Sequence, residues 1–253
     1  MRTLTVASNT FREAVRDKVL YVLLFFAAVT IFGSKALGWI SVGQDIKIVK
    51  DICLAATSLF GVLIAIFVGT SLVYKEIDKR TLYTILSQPM HRYEFILGKY
   101  VGLMGVLAVT VIVMTGVSSA YILMLGGSLG GTFFLAVLLI FWKLLLVTAF
   151  AILLSSMTSP ILGAIIVFCI YVFGHATGVF RDLPPQFDGT WSKTLLETAY
   201  YVFPNLANFD IRAEAANGVP VNPAYVVYVM VYGTLYTTVV LICAAFAFER
   251  KDV

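Results

Sequence analysis

The chain has 253 residues, 60% of them hydrophobic and 13% charged, with a net charge of +4 and a mean hydropathy of +0.94. That balance excludes a soluble globular domain and describes an integral membrane protein. Six apolar runs, 19–40, 52–74, 95–125, 132–155, 160–180 and 223–248, are long enough for a hydrocarbon core that needs roughly 20 helical residues. They are continuously apolar where a barrel strand would alternate, so the expected fold is all-α and polytopic, one transmembrane domain over 1–253 with six crossings.

Ahead of the first run, Asn9, Arg12, Glu13 and Arg16 recur at helical spacing, while Leu4, Ala7, Phe11, Ala14 and Val15 fill the opposite face. The pattern predicts an amphipathic helix over 3–18 lying in the membrane interface, with Thr10 and Glu13 as a capping box; a basic tail that only sets topology is the plainer alternative. The first apolar run is too long for a signal-peptide core and is not followed by a small-x-small cleavage site, so it reads as a retained helix. Residues 34–51 are mixed and read as a helix extension with a turn at Gly38 or Gly43.

After the second run comes KEIDKRTLYTILSQPMHRYEFILGK, the one long charged stretch between greasy helices. Within it Glu76, Lys79, Arg80 and Tyr83 fall at i, i+3, i+4 and i+7, with Ile77, Leu82, Ile85 and Leu86 toward the other side. This spacing predicts a short amphipathic helix over 75–88, stopped by Ser87, Gln88 and Pro89, with a charged face offered to water. Its plainer reading is a solvated loop that enforces topology.

Further on, GGSLGG at 126–131 predicts a tight connection, and SSMTSP at 155–160 another, with Pro160 suited to open the next helix. The 181–222 segment is too long for a mere turn. It predicts short helices at the membrane surface, Asn208 capping one that stops at Asn217 and Gly218, and Trp191, Tyr200, Tyr201 and Phe203 at headgroup level. Two readings of this segment stay open, an ordinary structured loop and a functional one, either a contact site for an external partner or a lid on the translocation path.

Basic residues set the orientation. The side holding both termini and the 75–99 stretch carries eleven of them against six opposite, which predicts cytoplasmic termini.

The residues from Glu76 through Arg80, Thr81, Leu82, Leu86, Ser87 and Pro89 to Arg92 and Lys99 form a pattern that resembles the first cytoplasmic loop of ABC-2 type transporter permeases. The interfacial NTFREAVRDK, the large segment before the last helix and the terminal FERKDV agree with that family. Within it, the chain most resembles permeases linked to multicopper enzyme maturation, of the nitrous oxide reductase accessory type. The resemblance implies a permease dimer in the bacterial inner membrane, surrounded by lipid and docked to two copies of a separate ATPase that binds ATP and magnesium. It implies that 75–88 is the coupling helix, with Glu76, Lys79, Arg80, Thr81, Tyr83 and Leu86 as the ATPase-coupling residues.

No phosphate-binding loop exists in the chain, because Gly98-Lys99 is followed by Tyr100 and has Tyr93 where the first glycine should stand. ATP hydrolysis is therefore expected elsewhere, with no catalytic residue, cofactor or metal in this chain and no nucleic-acid partner. His91 and His175 fall in different environments, and Cys53, Cys169 and Cys243 lie inside apolar runs without metal-ligand spacing. Lys143 stands near the middle of the fourth run, where a charge costs at least ~2.5 kcal/mol. Either it faces a cavity or a dimer seam, where it would meet an anionic substrate or a lipid headgroup, or its helix tilts and the side chain snorkels. The Gly98/Gly102 and Gly174/Gly178 spacings permit close helix approach. Two rivals to a transporter permease remain: a membrane anchor that transmits force to an outside partner without moving a substrate, and an ion-coupled secondary transporter. Scarce intramembrane carboxylates disfavour the second.

Overall fold

The computed structural model describes residues 2–38, 45–78, 92–177 and 203–249, and among them the regular elements are all helical. In chain order these are α1 (Arg2–Val15), α2 (Lys18–Gly38), α3 (Asp45–Asp78), α4 (Arg92–Met124), α5 (Gly131–Met157), α6 (Pro160–His175), a 3-10 turn (Ala207–Phe209), α7 (Arg212–Asn217) and α8 (Pro223–Glu249). Five of them, α2, α3, α4, α5 and α8, are long and apolar enough to cross a membrane. Together with the hydropathy this makes the chain a multi-pass membrane protein.

The fifth expected crossing differs from its run. Helix α6 has 16 residues, about 24 Å at 1.5 Å per residue, short of a hydrocarbon core of about 30 Å. Its far end is met by the chain returning through residues 204–206, whose Leu206 N–H donates to the Gly174 carbonyl at 2.9 Å. Residues 178–180 of that run lie outside the described residues.

Helix α5 is the central post. Leu139, Leu144, Leu146, Ala149 and Ile152 are all fully buried along it. It meets α3 where α3 has no side chain to interpose: a Cβ on Gly61 would fall 2.7 Å from Leu144, and one on Gly69 2.9 Å from the Ala151 methyl. Small residues at such seams let helices gain dispersion contacts where lipid offers no hydrophobic drive. Helix α2 stands at the rim instead, presenting Tyr21, Val22, Phe25, Phe26, Val29 and Phe32 outward, as a lipid-facing helix must.

Helix α8 packs on α5 and presents Tyr228, Val231, Leu235, Val239, Ile242 and Phe246 outward. Two of its threonines bond within the helix, Thr234 donating to the Met230 carbonyl and Thr238 to the Thr234 carbonyl, both at 2.8 Å, while the buried Thr237 meets the Tyr100 hydroxyl of α4. The Thr234 oxygen also accepts from the Trp142 indole N–H at 3.0 Å.

At one end of the bundle, hereafter the near end, Phe95 stacks on Phe248 with ring centroids 5.6 Å apart, and Thr158 and Ser159 make the short link between α5 and α6. Pro160 opens α6 where its missing N–H costs nothing. At the far end the Tyr121 hydroxyl donates to the Phe32 carbonyl, and Gly126 takes φ +78°, a conformation that favours glycine, to turn the chain toward α5.

Helix α1 lies at the near end, seated on α4. Ala7, Thr10 and Ala14 are buried beneath it, while Leu4 is 70% exposed and Asn9, Arg12 and Arg16 face outward. The expected capping box does not form. Thr10 sits inside an unbroken helix, pressed against Gly102 rather than placed at a helix start. Helix α7 also starts differently from expectation: Asn208 belongs to the 3-10 turn, and it is the Asp210 carboxylate that accepts from the Arg212 backbone N–H at 3.2 Å. Its end falls as the sequence indicates, at Gly218 with φ +71°.

Candidate functional site

Three places carry the residues singled out by the sequence. The first is Lys143, twelve residues into α5 and about 18 Å from its far end. Its side chain is 1% exposed. The ammonium donates to the Ser58 hydroxyl of α3 at 2.6 Å and lies 5.9 Å from the centre of the Tyr171 ring of α6. Tyr171 in turn packs on His175, ring centres 4.4 Å apart, and the His175 Nδ1–H donates to the Tyr171 carbonyl at 3.0 Å.

Above this lysine the chain does not stay at the surface. Residues 204–211 turn back into the bundle, and the Phe209 ring reaches Gly233 and Trp142: a Cβ on Gly233 would lie 2.9 Å from Phe209 and 3.3 Å from Trp142. Gly233 is ten residues into α8, so the 3-10 turn reaches about 15 Å below the far end of that helix. Irregular backbone is tolerated at such depth only where protein covers it and its polar groups find partners. Protein covers Phe209 and Leu206, which are fully buried, the Asn205 N–H donates to the Tyr232 hydroxyl and the Asn208 carbonyl accepts from Tyr225, while the buried Asn205 Oδ1 is left without a hydrogen-bond partner among the described residues. Gly174 makes room for the segment, since a Cβ there would meet Leu206 and the Pro204 carbonyl, each at 2.8 Å.

This segment carries Asp210 and Arg212 toward Lys143. The guanidinium grips the carboxylate with two bonds of 2.7 Å. Burial pushes the Asp210 carboxyl up, but the hydrogen bonds and charge of Arg212, with the charge of Lys143 beyond, outweigh it and hold the group below its ordinary value. The same pairing raises Arg212. Sequence reasoning singled out Lys143 but missed Ser58, Tyr171, Asp210 and Arg212, because nothing in their own neighbourhoods marks them as its companions.

The second place is the seam between α1 and α4. A Cβ on Gly98 would lie 2.8 Å from the Val6 side chain and 3.0 Å from the Thr3 carbonyl, and one on Gly102 2.6 Å from the Ala7 carbonyl. Close by, Lys99 is 1% exposed, with Glu13 of α1 at 3.9 Å and the Phe95 ring at 5.7 Å. The third place is the 75–88 stretch. Residues 75–78, including Glu76, continue α3 as its last turn. Lys79, Arg80, Thr81, Tyr83 and Leu86 lie outside the described residues, as do His91, Gly178, Trp191, Tyr200 and Tyr201.

No curated protein matches the chain. A family model described as ABC-2 family transporter protein matches residues 4–253. Members of that family are generally non-catalytic membrane components that typically work with an ATPase partner. A match of that extent, over a helical bundle with apolar spans, means that the chain belongs to the ABC-2 family of transporter proteins.

Proposed function

We propose that the chain is the transmembrane subunit of an ATP-driven ABC-2 exporter, pairing with a second copy of itself and with two copies of a separate ATPase. On this reading it sits in a bacterial cytoplasmic membrane and crosses it six times, α6 included. Both termini and the 75–88 coupling helix are cytoplasmic, and 181–222 is outside. The first-loop sequence further favours a permease linked to multicopper enzyme maturation, for which an outside partner would meet 181–222. Purifying the complex from its native host and identifying what accompanies it tests that finer assignment; the absence of any extracytoplasmic protein removes it.

The observation that carries the mechanical reading is the seating of α1 on the glycines of α4. It ties the interfacial helix to the helix that leaves the charged loop, so a push at that loop moves α1 and α4 together. The other helix of the loop, α3, runs unbroken from Glu76 to Ser58, about 27 Å along its axis. A displacement at the near end is thereby delivered to the hydroxyl that holds Lys143. Packed helices transmit such shifts as rigid bodies because their seams cannot deform continuously.

The test is the Glu76→Ala, Arg80→Ala double variant. Truncating a buried charge at a protein interface costs ~2–5 kcal/mol, so ATPase capture should weaken sharply while membrane insertion continues, the basic excess being unchanged in side. Wild-type ATPase co-purification and wild-type transport together would mean the loop is only a topological signal.

A further inference from the structure

We propose that Lys143 anchors a binding site for a single anionic group, a phosphate or carboxylate, covered by the 204–211 segment. The inference rests on the transporter reading above and gives the chemical class of what the bundle holds. An ammonium has three N–H donors. Among the described residues Ser58 accepts from one of them at 2.6 Å, Tyr171 turns its ring face to the ammonium while its hydroxyl is engaged with Ser58, and the other two N–H groups make no hydrogen bond.

The neighbouring carboxylate does not fill the gap. Both oxygens of Asp210 are held by the Arg212 guanidinium at 2.7 Å, and Oδ1 also accepts the Arg212 backbone N–H. The negative field of Asp210 at Lys143 is opposed by the positive field of Arg212. Among the described residues Asp51 also acts on Arg212, from an exposed position on α3. Among the described residues two cations thus share one half-buried carboxylate, and the guanidinium has taken it. A fully buried charge needs both a countercharge and acceptors for its protons. One anionic oxygen group supplies both, and Lys143 itself, 1% exposed, is out of reach of bulk water.

The arrangement is testable through Trp142, the residue beside Lys143 in contact with this segment. With Trp39 and Trp191 changed to Phe, Trp142 is the single tryptophan of the chain. Its emission is followed in neutral detergent against inorganic phosphate, and separately in nanodiscs of phosphatidylcholine with and without phosphatidylglycerol. A saturable change with phosphate assigns a soluble anion, and one with phosphatidylglycerol alone assigns a lipid headgroup. Either should weaken about tenfold or more in Lys143→Met and persist in Lys143→Arg. No change with either probe, or an equal change in Lys143→Met, overturns the site. Should Lys143→Met fail to fold, Arg212→Gln decides: releasing Asp210 to neutralise Lys143 should weaken binding, and unchanged or tighter binding refutes the proposed division of charge. No ATPase is present in this experiment. A negative result therefore leaves ATP coupling untouched, and lost ATPase docking in the loop variant leaves the phosphate response intact.

Discussion

Replacing Gly102 with alanine tests whether α1 is clamped to α4. The new methyl would lie 2.6 Å from the Ala7 carbonyl oxygen and 2.6 Å from the Thr10 Cβ. To restore an ordinary contact of 3.4 Å, α1 must retreat by about 0.8 Å. The obstacles are a backbone atom and a Cβ rather than a flexible tip, so the helix has to move as a body. Overpacking of this kind costs ~1–3 kcal/mol. Glycine to alanine also gains up to ~1 kcal/mol of helix propensity, which would mask part of the loss. Gly116, on the same helix with nothing within 4 Å of its would-be Cβ, is the matched control. Hydrogen exchange of the α1 amides in nanodiscs reads the difference directly. Relative to Gly116→Ala, the Gly102→Ala protein should exchange over α1 roughly 5- to 100-fold faster, as that free energy implies for local opening. Equal protection in the two variants would mean that α1 rests on α4 without being held by it.

Three further outcomes follow from the geometry. Gly174→Ala should lift the 204–211 segment, because its methyl meets Leu206 and the Pro204 carbonyl at 2.8 Å; a lower unfolding temperature with faster exchange at Leu206 is expected, and unchanged exchange there counts against the tight seat. Asp210 has a folded-state value below its ordinary 3.8, so its pairing with Arg212 stabilises the segment above that pH and is lost as acid carries the pH down through the folded value. Melting curves from pH 7 to 3 should show that acid loss in the parent and a smaller one in Asp210→Asn, and identical slopes would contradict it. Finally, single cysteines in a cysteine-free background should react with an impermeant reagent in intact cells at position 190 and not at position 80; the reverse pattern would invert the proposed orientation.

The apolar runs made most of the helices legible, since nothing but a spanning helix satisfies the backbone over such lengths. Gly98 and Gly102 were legible too, as a spacing that permits approach, though the partner that approaches them, Val6, Ala7 and Thr10, is readable only from the fold. Lys143 announced itself by being a charge where charge is expensive. Its companions did not, because Ser58, Tyr171 and Asp210 stand 85, 28 and 67 residues away in sequence, and each looks ordinary where it stands. The run of α6 stays apolar to residue 180, and nothing in its composition marks Gly174 as the point where Leu206 docks. The 204–211 segment reads as surface loop because Asn208 and Asp210 are polar, and the pairing of Asp210 with Arg212 and of the Asn208 carbonyl with Tyr225 cannot be seen from composition.

The internally bonded threonines of α8 have a consequence for whatever lies beside that helix. A hydroxyl that gives its proton to its own backbone keeps only its acceptor side for a neighbour; Thr234 and Thr238 both donate in this way, and Thr234 has already given its acceptor side to Trp142. Below the Tyr228 hydroxyl, the outward face of Val231, Leu235, Val239, Ile242 and Phe246 therefore chooses its company by shape. Contacts of that kind have no fixed register; they can slide by fractions of a turn with little penalty, and bilayer thickness rather than chemistry decides where they come to rest.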